Sequence, residues 1–248
     1  MKFQLGVTIA SLTCLAADAQ RTVTHNTLLW GAFAGTVQLN RHWSINSDVQ
    51  VRTADWADRW LLYAARTGIT CFVTPKVSVA AGMAIFRTAV YDKTRLLFFK
   101  NEWRPWQEAG HTDTARNGMV FFQRIRTEER FQQQQAGTTR LRDYQYVLRV
   151  RLRLDVTIPV SRETALLAGD EIFVNPGNAG TRNFFDQNRT YIGCNFKSGY
   201  RGMLQGMYVK IFQWHSTTSI LDDQDVIRLN YIQKFKYGHR RTQTVVHG

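Results

Sequence analysis

Long runs of two-residue alternation constrain this chain more than any other feature. Ile227, Leu229, Tyr231, Gln233, Phe235 and Tyr237 alternate with Arg228, Asn230, Ile232, Lys234 and Lys236. Tyr144, Tyr146, Leu148, Val150, Leu152, Leu154 and Val156 alternate with Gln145, Val147, Arg149, Arg151, Arg153 and Asp155. Trp43, Ile45, Ser47, Val49 and Val51 alternate with Ser44, Asn46, Asp48, Gln50 and Arg52. Successive side chains of a β-strand point to opposite faces, so each run reads as a strand with one apolar and one polar face. Helical periodicity is scarce. The pattern predicts strands near 28–39, 43–52, 60–73, 77–88, 96–107, 118–131, 142–158, 165–175, 188–199, 203–215 and 225–237. Most exceed the roughly 5–6 residues usual in soluble sheets. They match the roughly 9–11 residues that a tilted strand needs to cross a bilayer.

No compositional break or low-complexity linker divides the 248 residues, so 20–237 read as one all-β domain and 238–248 as a basic tail. Short connections near Asn40-Arg41, Thr74-Pro75-Lys76, Pro159 to Glu163 and Arg201-Gly202 alternate with longer polar ones at 53–59, 89–95, 132–141, 176–187 and 216–224. Residues 108–117 break the alternation. Membrane barrels have short turns at one end and long loops at the other, usually with an even number of strands. The expected fold is a single closed antiparallel transmembrane β-barrel of about 12 strands, with 10 as the alternative. Residues 20–27 are the candidate for part of the extra strand.

The start reads as a targeting segment. Met1-Lys2, the apolar Phe3 to Ala16 and the A-x-A pattern Ala17-Asp18-Ala19 make 1–19 a secretory signal peptide. Its removal leaves Cys71 and Cys194, too few for a disulfide framework. Export with a barrel pattern points to the outer membrane of a Gram-negative bacterium, with outer-membrane lipid as the surrounding partner.

The charged face decides which way such a barrel is turned. Arg124, Arg126, Glu128 and Arg130 share one side of a strand, and Arg149, Arg151, Arg153 and Asp155 share a side of the next. Lys100, Glu102 and Arg104 precede them, and Glu171 and Arg189 continue the set. A membrane barrel turns its apolar face outward and its polar face inward. Arg124, Arg126, Glu128, Arg130, Arg149, Arg151, Arg153, Glu102, Glu171 and Arg189 are therefore the candidate lumen network, pairing across adjacent strands. Ile227, Leu229, Tyr231, Leu152 and Leu154 should face lipid, and Arg228 the lumen. Trp30, Trp43, Trp60, Trp103, Trp106, Trp214 and Tyr237 fall near predicted strand ends, as interfacial girdle residues do.

Several motifs resemble one family. Leu29-Trp30, Leu39-Asn40-Arg41-His42-Trp43-Ser44 and Gln50-Val51-Arg52 are similar to its opening. Arg124 to Phe131 resembles its R-x-R-x-E-x-R-F run, and Asp170 to Asn175 its E-x-F-x-N strand. Phe185-Asp186-Gln187-Asn188-Arg189-Thr190-Tyr191-Ile192-Gly193 resembles its F-D-Q-N-R-x-Y-x-G element. The family is domain of unknown function 2490. The resemblance implies an outer-membrane β-barrel of the Bacteroidetes group and assigns no activity. The chain departs from common barrels in carrying Gly238 to Gly248 after Tyr237, so a terminal aromatic assembly signal would be internal.

Catalytic patterns are sparse. The six histidines form no H-E-x-x-H, and there is no C-x-x-C, P-loop or G-x-S-x-G. His215-Ser216 are adjacent on a strand, so they point to opposite faces. Asp222, Asp223 and Asp225 could hold Ca²⁺, but read better as a solvated acidic loop. Asp186-Gln187-Asn188-Arg189 is the most ligand-like patch, its plainer reading being loop orientation and membership of the ion network. No enzyme activity, cofactor, metal or nucleic-acid partner is expected. The preferred function is a structural or narrow channel-like barrel with an Arg-rich lumen and small anions as possible occupants. The alternatives are a secreted soluble β-sandwich or barrel binding an acidic ligand, favoured by the net charge of +13, and an outer-membrane lipid-modifying enzyme.

Overall fold

A computed structural model describes residues 23–176, 184–215 and 220–236. Eleven strands occupy the predicted segments, mostly longer at their ends: β1 Val23–Gln38, β2 Trp43–Ala54, β3 Arg59–Phe72, β4 Val77–Asp92, β5 Arg95–Thr114, β6 Val120–Ala136, β7 Thr139–Pro159, β8 Thr164–Val174, β9 Phe185–Ser198, β10 Gly202–His215 and β11 Ile220–Lys236. They form one closed barrel in sequence order. The open sandwich is thereby excluded.

Consecutive strands are antiparallel, while β1 and β11 close the barrel in parallel, from Val23 beside Leu221 to Gln38 beside Lys236. Parity requires this. Strands of a meander alternate in direction, so in an odd-numbered ring the first and last run the same way. The count is one below the expected twelve because residues 23–27 extend β1. Residues 20–22, the rest of the candidate extra strand, and the segments 1–19 and 237–248 lie outside the described residues.

The two ends of the barrel differ, though not in the way the loop lengths suggest. One end carries the connections 39–42, 73–76, 115–119, 160–163 and 199–201. At the other, the expected long loops at 89–95 and 132–141 shrink to Lys93-Thr94 and Gly137-Thr138. Their polar residues are absorbed into two projecting hairpins. The β4–β5 pairing continues to Asp92 and Arg95, beyond the last β3 partner, Thr88. The β6–β7 pairing continues to Ala136 and Thr139, while β8 joins β7 only from Val150 onward. The exception at 108–117 disappears, since β5 runs to Thr114. Register shifts at Arg52/Thr53, Val90/Tyr91, Gln133/Gln135 and Phe173/Val174 all lie toward the hairpin end, as bulges do at barrel rims. The β5–β6 ladder skips Arg104 and Pro105, where proline offers no N–H.

The barrel is inside-out relative to a soluble one. Leu152 and Leu154 are 49% and 61% exposed, and Ile227, Leu229 and Tyr231 also face outward. Arg126, Glu128, Arg151 and Glu171 are buried. Trp43, Trp60 and Trp103 are exposed on the outer surface. Trp30 and Trp106 are buried inside, so they are not girdle residues. Each lies mid-strand, because β1 begins earlier and β5 ends later than the sequence pattern suggests. Trp214 is half-buried, and Tyr237 lies outside the described residues.

Candidate functional site

The strand register turns local alternation into a charged interior. Alternate residues of β5, β6, β7, β8 and β9 point inward, and the pairing sets Glu108 beside Arg126, Glu128 beside Arg149, Arg153 beside Glu171 and Glu171 beside Arg189. It also sets Arg126 beside Arg151 and Arg124 beside Arg153. Like charges directly opposite repel, so the expectation of simple cross-strand pairs holds only in part. Carboxylates on a third strand relieve these repulsions.

One ion network results. Arg126 pairs with Glu108 at 2.5 Å, and Glu108 lies 3.6 Å from Arg124. Arg124 reaches Glu171 at 2.5 Å, and Glu171 accepts from Arg151 at 2.8 Å. Arg151 also holds Glu128 at 2.5 Å, which lies 3.4 Å from Arg104. Arg104 and Arg130 share Glu102 at 2.5 and 2.6 Å. Arg149 pairs with Asp186 at 2.9 Å, and Arg153 with Asp155 at 2.6 Å. Tyr191 donates its hydroxyl to Asp155. Nine of these side chains were legible as one face of the sequence pattern: Glu102, Arg126, Glu128, Arg149, Arg151 and Glu171 are buried, and Arg124, Arg130 and Arg153 are half-buried; Arg189, the tenth candidate, is half-buried on the same face but bonds to Gln187 instead. Charged hydrogen bonds of this kind, with several forks per carboxylate, brace strand against strand.

Aromatic rings provide a second layer of support. Arg104 lies 3.7 Å over Phe86, Arg126 4.4 Å over Trp106, and both Arg151 and Arg189 4.5 Å over Phe173. Such stacking is strongest where water is excluded. The side chains enclose a cavity of about 360 Å³ between β1, β2, β9 and the arginine-bearing strands.

Sequence reasoning missed several contributors. Arg52, Arg66 and Asp48 reach the interior from β2 and β3, and Arg66 pairs with Asp48 at 2.8 Å. Glu108 lay beyond the predicted end of its strand. Position parity from Asp48 to Arg52 was the available signal.

The family motifs now have structural positions. Arg124 to Phe131 forms the centre of β6, Glu171 and Phe173 face inward from β8, and Gln187, Arg189 and Tyr191 do so from β9. The sequence model of the family described as protein of unknown function (DUF2490) matches residues 27–221. The chain belongs to that family. The match spans most of the barrel and includes every motif named above. No curated protein matches the chain.

The remaining candidates resolve into local contacts. The Asp186 to Arg189 patch is split: Asp186 binds Arg149, Gln187 accepts from Arg189 at 2.8 Å, and Asn188 turns outward to Asp170 at 3.0 Å. Asp223 and Asp225 pair with Lys210 at 2.6 and 3.0 Å. Ser216 lies outside the described residues. Cys71 and Cys194 are half-buried free thiols on β3 and β9.

Proposed function

We propose that the chain is an outer-membrane β-barrel whose arginine-rich interior makes it a structural or narrow channel-like protein. The observation that carries this reading is the reversal of faces. Ion-paired arginines fill the inside, while Ile69, Leu154, Ile192 and Leu229 stand exposed outside. In water such a continuous apolar surface would drive aggregation; against lipid chains it is the favoured surface. Strands of 11 to 21 residues are long enough to cross, even when tilted. Closure leaves no unpaired edge, which a bilayer requires.

The charged network favours a narrow interior. A pore wide enough for unhindered diffusion would leave Arg151 and Glu171 hydrated and apart, whereas they touch each other and neighbouring side chains. Small anions fit this lining better than cations do. Fractionation tests the location: the tagged, exported protein should stay in the outer-membrane pellet through carbonate and urea washes. Recovery in the soluble periplasmic or secreted fraction would overturn it.

A further inference from the structure

Three interior arginines stand apart from the ion network. Among the described residues Arg52, Arg189 and Arg228 have no carboxylate within salt-bridge distance, and their side chains bond to amide oxygens. Arg52 reaches Gln50 at 3.4 Å, Arg189 reaches Gln187 at 2.8 Å, and Arg228 reaches Asn230 at 3.0 Å. The carboxylates nearest them are engaged: Asp48 by Arg66, and Glu171 by Arg124 and Arg151. The three cations converge on one ring. Arg52 and Arg228 flank Trp30 as its paired residues on β2 and β11. Arg52 lies 3.9 Å over the indole and Arg189 5.2 Å from its centroid. All three line the interior cavity.

Two buried donors at this spot have no acceptor among the described residues, Arg52 Nε and Trp30 Nε1. A buried charge or donor left unpaired is costly. The surplus is entirely of positive charge and N–H donors, which defines the missing partner as an acceptor-rich anion. Guanidinium forks match the paired oxygens of phosphate-type groups. We infer that Arg52, Arg189 and Arg228, gathered around Trp30, form a binding site for a phosphate group inside the barrel.

The inference deepens the proposed function by giving the lumen a specific occupant. It rests on the inward-facing arginines of that reading and not on membrane location. The phosphate could be free or carried on a lipid headgroup, and the two sources are separable.

The test is calorimetric titration of the detergent-refolded full chain with inorganic phosphate and, separately, with short-chain phosphatidic acid, at constant ionic strength. Saturable binding of inorganic phosphate supports a free anion. Binding of phosphatidic acid alone supports the same site filled by a headgroup. Arg52→Gln, Arg189→Gln and Arg228→Gln should each weaken binding at least tenfold, while Arg87→Gln, on the outer face, should not. Should the interior variants fail to fold, phosphate should still raise the wild-type unfolding midpoint above that in matched chloride. No binding of either probe with no rise in midpoint, or binding unchanged in all three variants, would overturn the site. Phosphate binding by a protein recovered in the soluble fraction would overturn the membrane reading and leave the site standing.

Discussion

Trp106 on β5 lies against Gly82, its directly paired neighbour on β4, so closely that a Cβ at Gly82 would stand 2.5 Å from the indole ring. Gly68, paired with Gly82 on β3, extends the same platform. Two adjacent glycines thus make room for an interior tryptophan, which in turn carries Arg126 on its face. Trp106 is therefore a packing element of the charged interior.

That relationship predicts a coupling. Gly82→Ala should destabilise the barrel by about 1–3 kcal/mol, the usual cost of overpacking. Trp106→Ala should cost about 3–5 kcal/mol. In the Trp106→Ala background, Gly82→Ala should cost less but not nothing, because the ring no longer opposes the methyl group while the Thr67 carbonyl oxygen still does. Urea titrations of the four proteins refolded in lipid measure this; equal costs in both backgrounds would refute the contact.

The outward face makes a second prediction. Leu152 is exposed in the middle of β7. Leu152→Arg should cost about 2–4 kcal/mol in a bilayer if it lies near the midplane. An exposed position in water would tolerate the same change with little effect. An unchanged refolding midpoint in lipid vesicles would argue against membrane insertion.

Arg151 is the hinge of the ion network, because it bridges Glu128 and Glu171. Arg151→Met takes from Glu128 and Glu171 the partner they share, leaving them Arg104 and Arg124, and should destabilise by about 3–5 kcal/mol. Adding Glu171→Gln to that variant should cost less than Glu171→Gln costs alone, since Arg151, one of the two arginines Glu171 holds, is already gone. Additive losses in the double variant would mean that the two residues do not communicate.

The filled interior predicts weak conduction. In planar bilayers the wild-type barrel should show no large, cation-selective steps. Removing the Arg126–Trp106 stack with Arg126→Ala and Trp106→Ala together should open a larger conductance that prefers anions, because Arg124, Arg151 and Arg153 still line the space. A wide cation-selective pore in the wild type would contradict the charge argument.

The strands, their approximate ends and their two faces were determined by the sequence alone, because a period of two is a local property of an extended backbone. Runs such as Tyr144 to Val156 and Ile227 to Tyr237 needed no partner to be read. The arginines of β6 and β7 were legible as one face for the same reason. Tertiary structure alone decided what those faces meet. Parallel closure of β1 on β11 depends on the parity of the whole ring, which no single strand encodes. Register decided that Arg126 opposes Arg151 and that their partners, Glu108, Glu128 and Glu171, come from several strands. Trp30 and Trp106 read as strand-end aromatics until the full lengths of β1 and β5 put them mid-barrel, facing inward. The gathering of Arg52, Arg189 and Arg228 around one indole was likewise invisible in the sequence. These residues are far apart along the chain, and only closure of the barrel brings their charges within range of one another.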